Sequence, residues 1–417
     1  MEAKEFKSTA PGRLVPVTLY ESDATGHRSP LVCRAFVPDE LPPALDWRAI
    51  VADHYAPLER AALALGRLNG LHRRVGNAAH LLRALWMREA KQSSEIEDIH
   101  TTAEQMVFAG AGRALDVRAG GKESWNYVQA LEHGLRSDLP LTGRLLKEMH
   151  AVLMDGVRGE DRRPAQFRDA GVYIGDHESG PRRARFVPPP PGQVLNDALA
   201  ALERFINGPP AMIPPLVRVA LAHYQFETIH PFRDGNGRIG RVLASLSLVR
   251  EGLLDHPVVY LSAFINRNRR RYVDLLLDVS QSGGTAWDEW IGFMIEAVET
   301  QAHDAANRTE ALIAIRERFQ RHVQAVDGPV RLLTLIDRLF TMPAINAGEA
   351  EALLDVSRPT VYKDLELMES IGILSEVTGK PVNRDWVCRE ILSVIEADEL
   401  PGNGGRSEAA DPSAPEA

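Results

Sequence analysis

His230-Pro231-Phe232-Arg233-Asp234-Gly235-Asn236-Gly237-Arg238-Ile239-Gly240-Arg241 joins two helical runs, Leu216 to Thr228 and Arg238 to Arg250. Gly235-Asn236-Gly237 permits positive φ, so successive backbone N–H groups can face one point and form an anion nest. The next helix begins there, and its N-terminus adds the positive end of a dipole. Arg238 and Arg241 stand three residues apart and are expected to project from one helical face. Ile239, Val242, Leu243 and Leu246 form the opposite, buried face. Asp234 precedes the nest and suits a Mg²⁺ that bridges phosphates. His230 ends the preceding helix with a side chain suited to general-base work near neutrality. Phe232 is the apolar residue that pins the loop to the core. Each feature alone is commonplace; their combination within twelve residues points to a polyphosphate site.

Outward from this loop the chain is mainly helical. Residues 1–42 contain two β-like runs, Leu14 to Val17 and Leu31 to Val37, and are expected to form a loosely attached, extended arm. Residues 43–115 form an N-terminal helical region, and 116–312 the helical core that carries the loop. Within that core, Val172 to Val187 interrupts the helices and is expected to be a β-hairpin with a long tip. The prolines at 188–191 follow it as a stiff exit. Residues 329–397 are expected to be a separate winged helix-turn-helix domain, with helices at 330–340, 347–354 and 358–370. Ser357 and Pro359 open the last of these, Gly372 closes it, and a wing follows. The 401–417 tail is expected to be disordered.

Composition narrows the function classes. The 417 residues are 44% hydrophobic and 25% charged, which fits a globular chain and excludes collagen-like and disulfide-scaffold classes. A net charge of −9 disfavours general binding to nucleic acid or anionic membrane. Cys33 and Cys388 make no metal spacing and fit a thiol-reducing compartment. No apolar stretch approaches a membrane span and the first residues hold no leader-like core, so the expected address is the cytoplasm.

The loop resembles the signature of the Fic family of nucleotide transferases, His-x-Phe-x-(Asp/Glu)-Gly-Asn-Gly-Arg-x-x-Arg, at every fixed position from His230 to Arg241. The resemblance extends more weakly over about 40–300, and some relatives carry a winged-helix appendage. It implies transfer of AMP from ATP to a protein hydroxyl, with Mg²⁺. It implies that His230 deprotonates the hydroxyl and that Asp234 holds Mg²⁺. It also implies that Gly235, Asn236, Gly237, Arg238, Gly240 and Arg241 bind the nucleotide, the two arginines holding the distal phosphates. Sister kinases carry Lys where Gly237 stands, which argues against phosphotransfer. Val172 to Val187 resembles the flap on which the target protein docks; its alternative is a plain surface hairpin. Asn268 and Tyr272 fall where relatives build the adenine pocket, although Val273 replaces a frequent second tyrosine and Tyr272 also suits a core position.

A second constellation is Ser93-Ser94-Glu95-Ile96-Glu97-Asp98. It resembles the family's inhibitory motif, Ser/Thr-x-x-x-Glu-Gly/Asn, through Ser93 and Glu97, with Asp98 replacing the last residue. Glu97 is expected to pair bidentately with Arg241 and to inhibit in cis. Ser94 and Glu97 equally fit a capping box. Removal of AMP at the same site, with Glu97 activating water, uses the same residues and stays open. So does a DNA-binding regulator with a nucleotide-sensing core. Residues 321–400 carry eight basic and fourteen acidic side chains, so the C-terminal domain is expected to contact protein, or a second copy as a homodimer, ahead of DNA.

Overall fold

The computed structural model describes residues 5–22, 28–74, 79–113, 119–175, 180–209 and 212–398. The tail at 401–417 and the flap tip at 176–179 lie outside the described residues. The chain opens with strands β1 (Gly12–Ser22) and β2 (Arg28–Pro38). Helices α1 (Trp47–Asp53), α2 (Tyr55–Arg74), α3 (Ala79–Ile96), α4 (Ala103–Gly110) and α5 (Ala119–Arg136) follow. Next come α6 (Gly143–Leu153), α7 (Gln193–Asn207), α8 (Pro215–Ile229), α9 (Asn236–Arg250), α10 (Leu261–Arg267) and α11 (Arg269–Ser282). The 41-residue α12 (Thr285–Ala325) leads to α13 (Arg331–Thr341), β3 (Ala344–Asn346), α14 (Ala347–Leu354) and α15 (Arg358–Ser370). Strands β4 (Ser375–Glu376) and β5 (Asp385–Val387) and helix α16 (Arg389–Glu396) complete the order.

The site loop connects α8 to α9, and these two helices are buried on nearly every side. Such helices lack an apolar stripe because every face meets protein. Around them Tyr224 packs edge-on against Trp287, with ring centroids 4.6 Å apart, and the Trp290 indole donates to the Ala220 carbonyl. This core fixes both ends of the loop.

Three expectations change. The N-terminal arm is not loosely attached. Its runs extend to 11 residues each and pair antiparallel, Gly12 opposite Pro38 through Ser22 opposite Arg28. One face of the pair is buried, through Val17, Leu19, Ala35 and Val37, because the alternation of apolar residues matches the period of a strand, and on the other face Phe36 stacks on Phe6 with centroids 5.6 Å apart. Among the described residues the flap is thinner than a regular hairpin: one antiparallel bridge, Ile174 to Phe186, spans a 3-10 turn at Pro181–Arg183.

The C-terminal unit is not separate. Its helices fall close to their expected bounds, and β3, β5 and β4 form a three-stranded antiparallel sheet. However, Leu335, Leu339 and Ile395 share one continuous hydrophobic cluster with Leu85 and Phe319. The guanidinium groups of Arg88 on α3 and Arg308 on α12 both donate to the carbonyl of Ala397, at 2.8 Å each. Terminal helix carbonyls need outside partners, and two buried arginines supply them here. Among the described residues, no helix is long and apolar enough to cross a membrane.

Candidate active site

Helix α8 ends at Ile229, and His230 turns the chain by adopting the left-handed conformation, φ 51°. Arg168 holds this corner: its Nε donates to the His230 carbonyl at 2.8 Å, and a terminal nitrogen donates to the Ile229 carbonyl at 3.3 Å. The backbone N–H of Arg168 also donates to Pro231 O at 2.9 Å. Phe232 is fully buried and stacks on His150, with centroids 3.9 Å apart. Asn236 closes the loop on itself. Its side-chain oxygen accepts from Phe232 N–H at 2.7 Å, and its amide nitrogen donates to Phe232 O at 2.9 Å.

Only Gly235 of the glycine turn uses positive φ, at 75°, and it serves as the N-cap of α9. Gly237 lies inside the helix and is glycine for a different reason. A Cβ there would stand 2.5 Å from Glu97 Oε1 and 2.9 Å from Arg241 Nη1. The nest is therefore one left-handed residue followed by a helix start, and Gly237 makes room for an ion pair. Gly240 likewise lets α9 approach Glu227, whose Oε1 a Cβ would meet at 2.1 Å.

These elements enclose a cavity of about 890 Å³ whose lining includes Glu97, His230, Asp234, Gly235, Asn236, Gly237 and Arg241. His230 Nδ1 faces the Glu227 carbonyl at 3.3 Å, so this nitrogen carries the proton and Nε2 keeps its lone pair. Burial, assisted by the positive charge of Arg168, pulls the His230 pKa down to about 4. The ring is neutral at pH 7, the form a base requires. Asp234 Oδ1 accepts from Gly235 N–H at 2.7 Å, and Oδ2 meets Arg162 at 3.2 Å.

The two signature arginines diverge. Arg241 is 2% exposed and reaches α3, where Nε donates to Ser93 Oγ at 2.9 Å and Nη2 to Glu97 Oε1 at 2.9 Å. Nη2 also meets the Ser93 carbonyl at 3.0 Å. The expected bidentate carboxylate pair is thus a single charge-assisted bond beside two bonds to Ser93. Burial alone would raise the Glu97 pKa, but the charge and hydrogen bond of Arg241 pull it below the usual range. Arg238 instead faces α5 and pairs with Glu123 at 3.2 Å, both side chains 3% exposed. It does not line the cavity, and neither do Gly240 or Asn268. Asn268 ends α10 and spends its amide on Phe264 O at 2.9 Å. Tyr272 lines the cavity and accepts or donates a 3.0 Å bond with His223.

The capping-box alternative for Ser94 and Glu97 fails, since both lie at the C-terminal end of α3. Ser94 Oγ accepts from Ser124 Oγ at 2.8 Å, and the capping box that does form joins Thr102 to Gln105 on α4. Asp98 takes the left-handed conformation that a Gly or Asn would favour, φ 58°, and pairs with Arg269 at 2.9 Å and 3.2 Å.

Sequence reasoning missed three residues. Arg168 and His150 support the loop from outside it. His150 Nδ1 accepts from Ala165 N–H at 3.1 Å and its Nε2–H donates to Asp234 O at 3.0 Å. Glu227 is a half-buried residue in the lining whose Oε1 is buried without a hydrogen-bond partner among the described residues, and desolvation raises its pKa to about 7. The first two act through tertiary contacts that no local pattern announces. Glu227 stood three residues before His230, where an acid inside an apolar helix was a usable signal.

Residues 140–248 match the Fic/DOC family, and residues 55–136 match the Fic/DOC family N-terminal region. Among curated relatives, protein adenylyltransferase Fic of Aedes aegypti is 36% identical over 112 residues, 27% of this chain and 19% of that protein. The protein of the same name from Culex quinquefasciatus is 35% identical over 140 residues, 33% of this chain and 24% of that protein. The matched stretch thus spans about a fifth to a quarter of these relatives. A Fic family protein from Desulfovibrio desulfuricans shares the fold, with a TM-score of 0.50 at 22% identity, covering 83% of this chain and 98% of that one.

Proposed function

Since the chain carries a Fic/DOC-family domain together with the family's N-terminal region, we propose that it transfers AMP from ATP to a side-chain hydroxyl of a target protein and holds itself in check through Glu97. One observation carries this reading: Arg241, the buried cation of the cavity, is occupied by Glu97 and Ser93 in the same cavity that presents His230 and Asp234.

His230 Nε2 accepts the proton of the target hydroxyl. The hydroxyl oxygen bonds to the α-phosphorus of ATP, the bond from that phosphorus to the β-bridging oxygen breaks, and pyrophosphate leaves. The N–H groups at the start of α9 and the guanidinium of Arg241 hold the phosphate oxygens. Asp234 is the carboxylate able to hold Mg²⁺ beside substrate phosphates. A single protein carboxylate is an ordinary anchor for that ion, whose role is to neutralise the polyphosphate. Arg238 holds Glu123 through Nη1 and stands 3.8 Å from Asp234 Oδ1 through Nη2, so its charge acts beside the metal anchor.

Removal of AMP from a modified target is the second reading. It is favoured by the position of Glu97, which lines the same cavity as His230 and can orient a water. Mass spectrometry of extract proteins after incubation with ATP and the Glu97→Gly protein tests both. A gain of one AMP on a hydroxyl residue supports transfer. A gain of phosphate alone, or no gain, contradicts it. Loss of AMP from a pre-modified target supports removal.

A further inference from the structure

The cavity wall has a contributor outside the catalytic loop. Leu19, Tyr20 and Arg28 of the β1–β2 hairpin line it together with the flap residues at 170–175. Hairpin and flap are fastened into one body. Val17, Leu19 and Ala35 share a small apolar cluster with Ala184 and Val187. Phe36 N–H donates to Val187 O at 2.9 Å, and Arg182 pairs with Glu21 at 2.9 Å. A flap held this firmly from behind is a preformed surface rather than a loose edge.

The lining carries seven arginines and four carboxylates, in a chain whose net charge is −9. Arg162, Arg185, Arg233, Arg241 and Arg269 are already paired with carboxylates, Asp169 and Asp274 among them from outside the lining, but Arg28 belongs to a different element. Its guanidinium sits 5.4 Å over the ring of Tyr20, which is 55% exposed, and it pairs with no carboxylate among the described residues. An exposed tyrosine backed by an arginine is the composition of a protein-contact hot spot. A positive rim selects partners of opposite charge and speeds their arrival.

We propose that the β1–β2 hairpin and the flap together form the docking wall for the target, and that this wall selects an extended protein segment with acidic residues beside the acceptor hydroxyl. Arg28 and Tyr20 are its specificity-determining residues. The proposal rests on the transfer reading above, and its test separates the two.

The probes are fluorescein-labelled glutamate–tyrosine copolymer, lysine–tyrosine copolymer and oligothymidylate, added to the full-length Glu97→Gly protein. Fluorescence anisotropy reads docking, and labelled ATP reads both transfer to the copolymer and transfer to the enzyme itself. The expected result is binding of the acidic copolymer at least about tenfold tighter than of the basic one. Arg28→Glu should weaken that binding by about tenfold, with unchanged ATP affinity and an unchanged melting curve. Tyr20→Ala should weaken it without altering charge. Equal binding of the two copolymers, or an Arg28→Glu protein that binds as before, overturns the proposal. Oligothymidylate that binds as tightly, with the same dependence on Arg28, also overturns it, because the wall is then a general polyanion surface. A protein that labels itself but shows no acidic preference refutes the docking wall alone. One that shows the preference but transfers no AMP refutes the transfer reading alone.

Discussion

Glu97 Oε1 accepts a 2.9 Å hydrogen bond from Arg241 Nη2 across a distance of 144 residues in sequence. Gly237 is the residue that permits it, since any side chain there collides with the carboxylate. In the proposed reaction, inhibition and phosphate binding would compete for this one guanidinium, and the same helix turn would have to admit both.

His230→Ala is expected to abolish transfer while leaving ATP affinity nearly unchanged, because the imidazole acts on the hydroxyl and not on the phosphates. Loss of a general base costs on the order of 10²–10⁴ in rate. Calorimetry with ATP, beside a labelling assay, checks it. Near-normal transfer by this variant removes His230 from the role.

NMR titration of His230 in the resting protein is expected to show a midpoint near 4, so the ring stays neutral throughout pH 6 to 8. A midpoint near the ordinary value of about 6.5 would mean that the ring is solvated, which contradicts the desolvation of this half-buried ring beside Arg168.

Arg238→Ala is expected to destabilise the fold before it reports on ATP. The substitution strands Glu123, and leaving one partner of a buried ion pair unpaired costs about 3–5 kcal/mol. Replacing Glu123 with alanine as well should recover part of that loss. Chemical denaturation of the single and double variants measures it, and additive losses would show that the pair is not coupled.

Glu227→Gln is expected to raise the melting temperature most at alkaline pH. Burial holds the folded pKa of Glu227 near 7, above its unfolded value, so its stability contribution is present in acid and lost as pH rises through 7. The difference between variant and parent should therefore be small near pH 4.5 and largest near pH 8. A difference that shrinks toward pH 8 contradicts the sign.

Ending the chain at Asp327 is expected to lower stability, contrary to what an independent C-terminal domain implies. It strips α13 and α16 from α3 and α12 and leaves Arg88 and Arg308 without the carbonyls they bind. A thermal melt decides this: an unchanged melting temperature shows that the unit folds apart from the core.

The helical class, the site loop and the Ser93 to Glu97 segment were legible because each is a local pattern. Glycines, a helix start and paired charges leave their signature within twelve residues, and α15 starts where Ser357 and Pro359 place it, although the Ser357 hydroxyl meets Thr360 Oγ1 at 3.0 Å instead of capping the backbone. What was not legible depends on tertiary contact. Helical spacing places Arg238 and Arg241 three residues apart, yet Glu123 on α5 and Glu97 just past the end of α3 draw them in different directions. The two β-like runs near the N-terminus carried alternation, but nothing in them told that the flap would cover one face. The apolar stripes of α13 and α16 do not say which helix they meet, so in sequence a shared core reads as a separate domain.

The most direct test of the account is auto-labelling with labelled ATP by three full-length proteins: the parent, Glu97→Gly and Arg241→Ala. Both substitutions delete the same contact. Removing Glu97 frees Arg241 for the phosphates, whereas removing Arg241 opens the cavity and discards the clamp. A charge-assisted hydrogen bond is worth about 1.5–3 kcal/mol, and Glu97 opens on the cavity, so the lower end applies and the release is roughly tenfold. The account predicts that Glu97→Gly exceeds the parent by about that factor while Arg241→Ala stays at or below it. A folded Glu97→Gly protein that takes up no more label than the parent, or an Arg241→Ala protein that is equally activated, would contradict it.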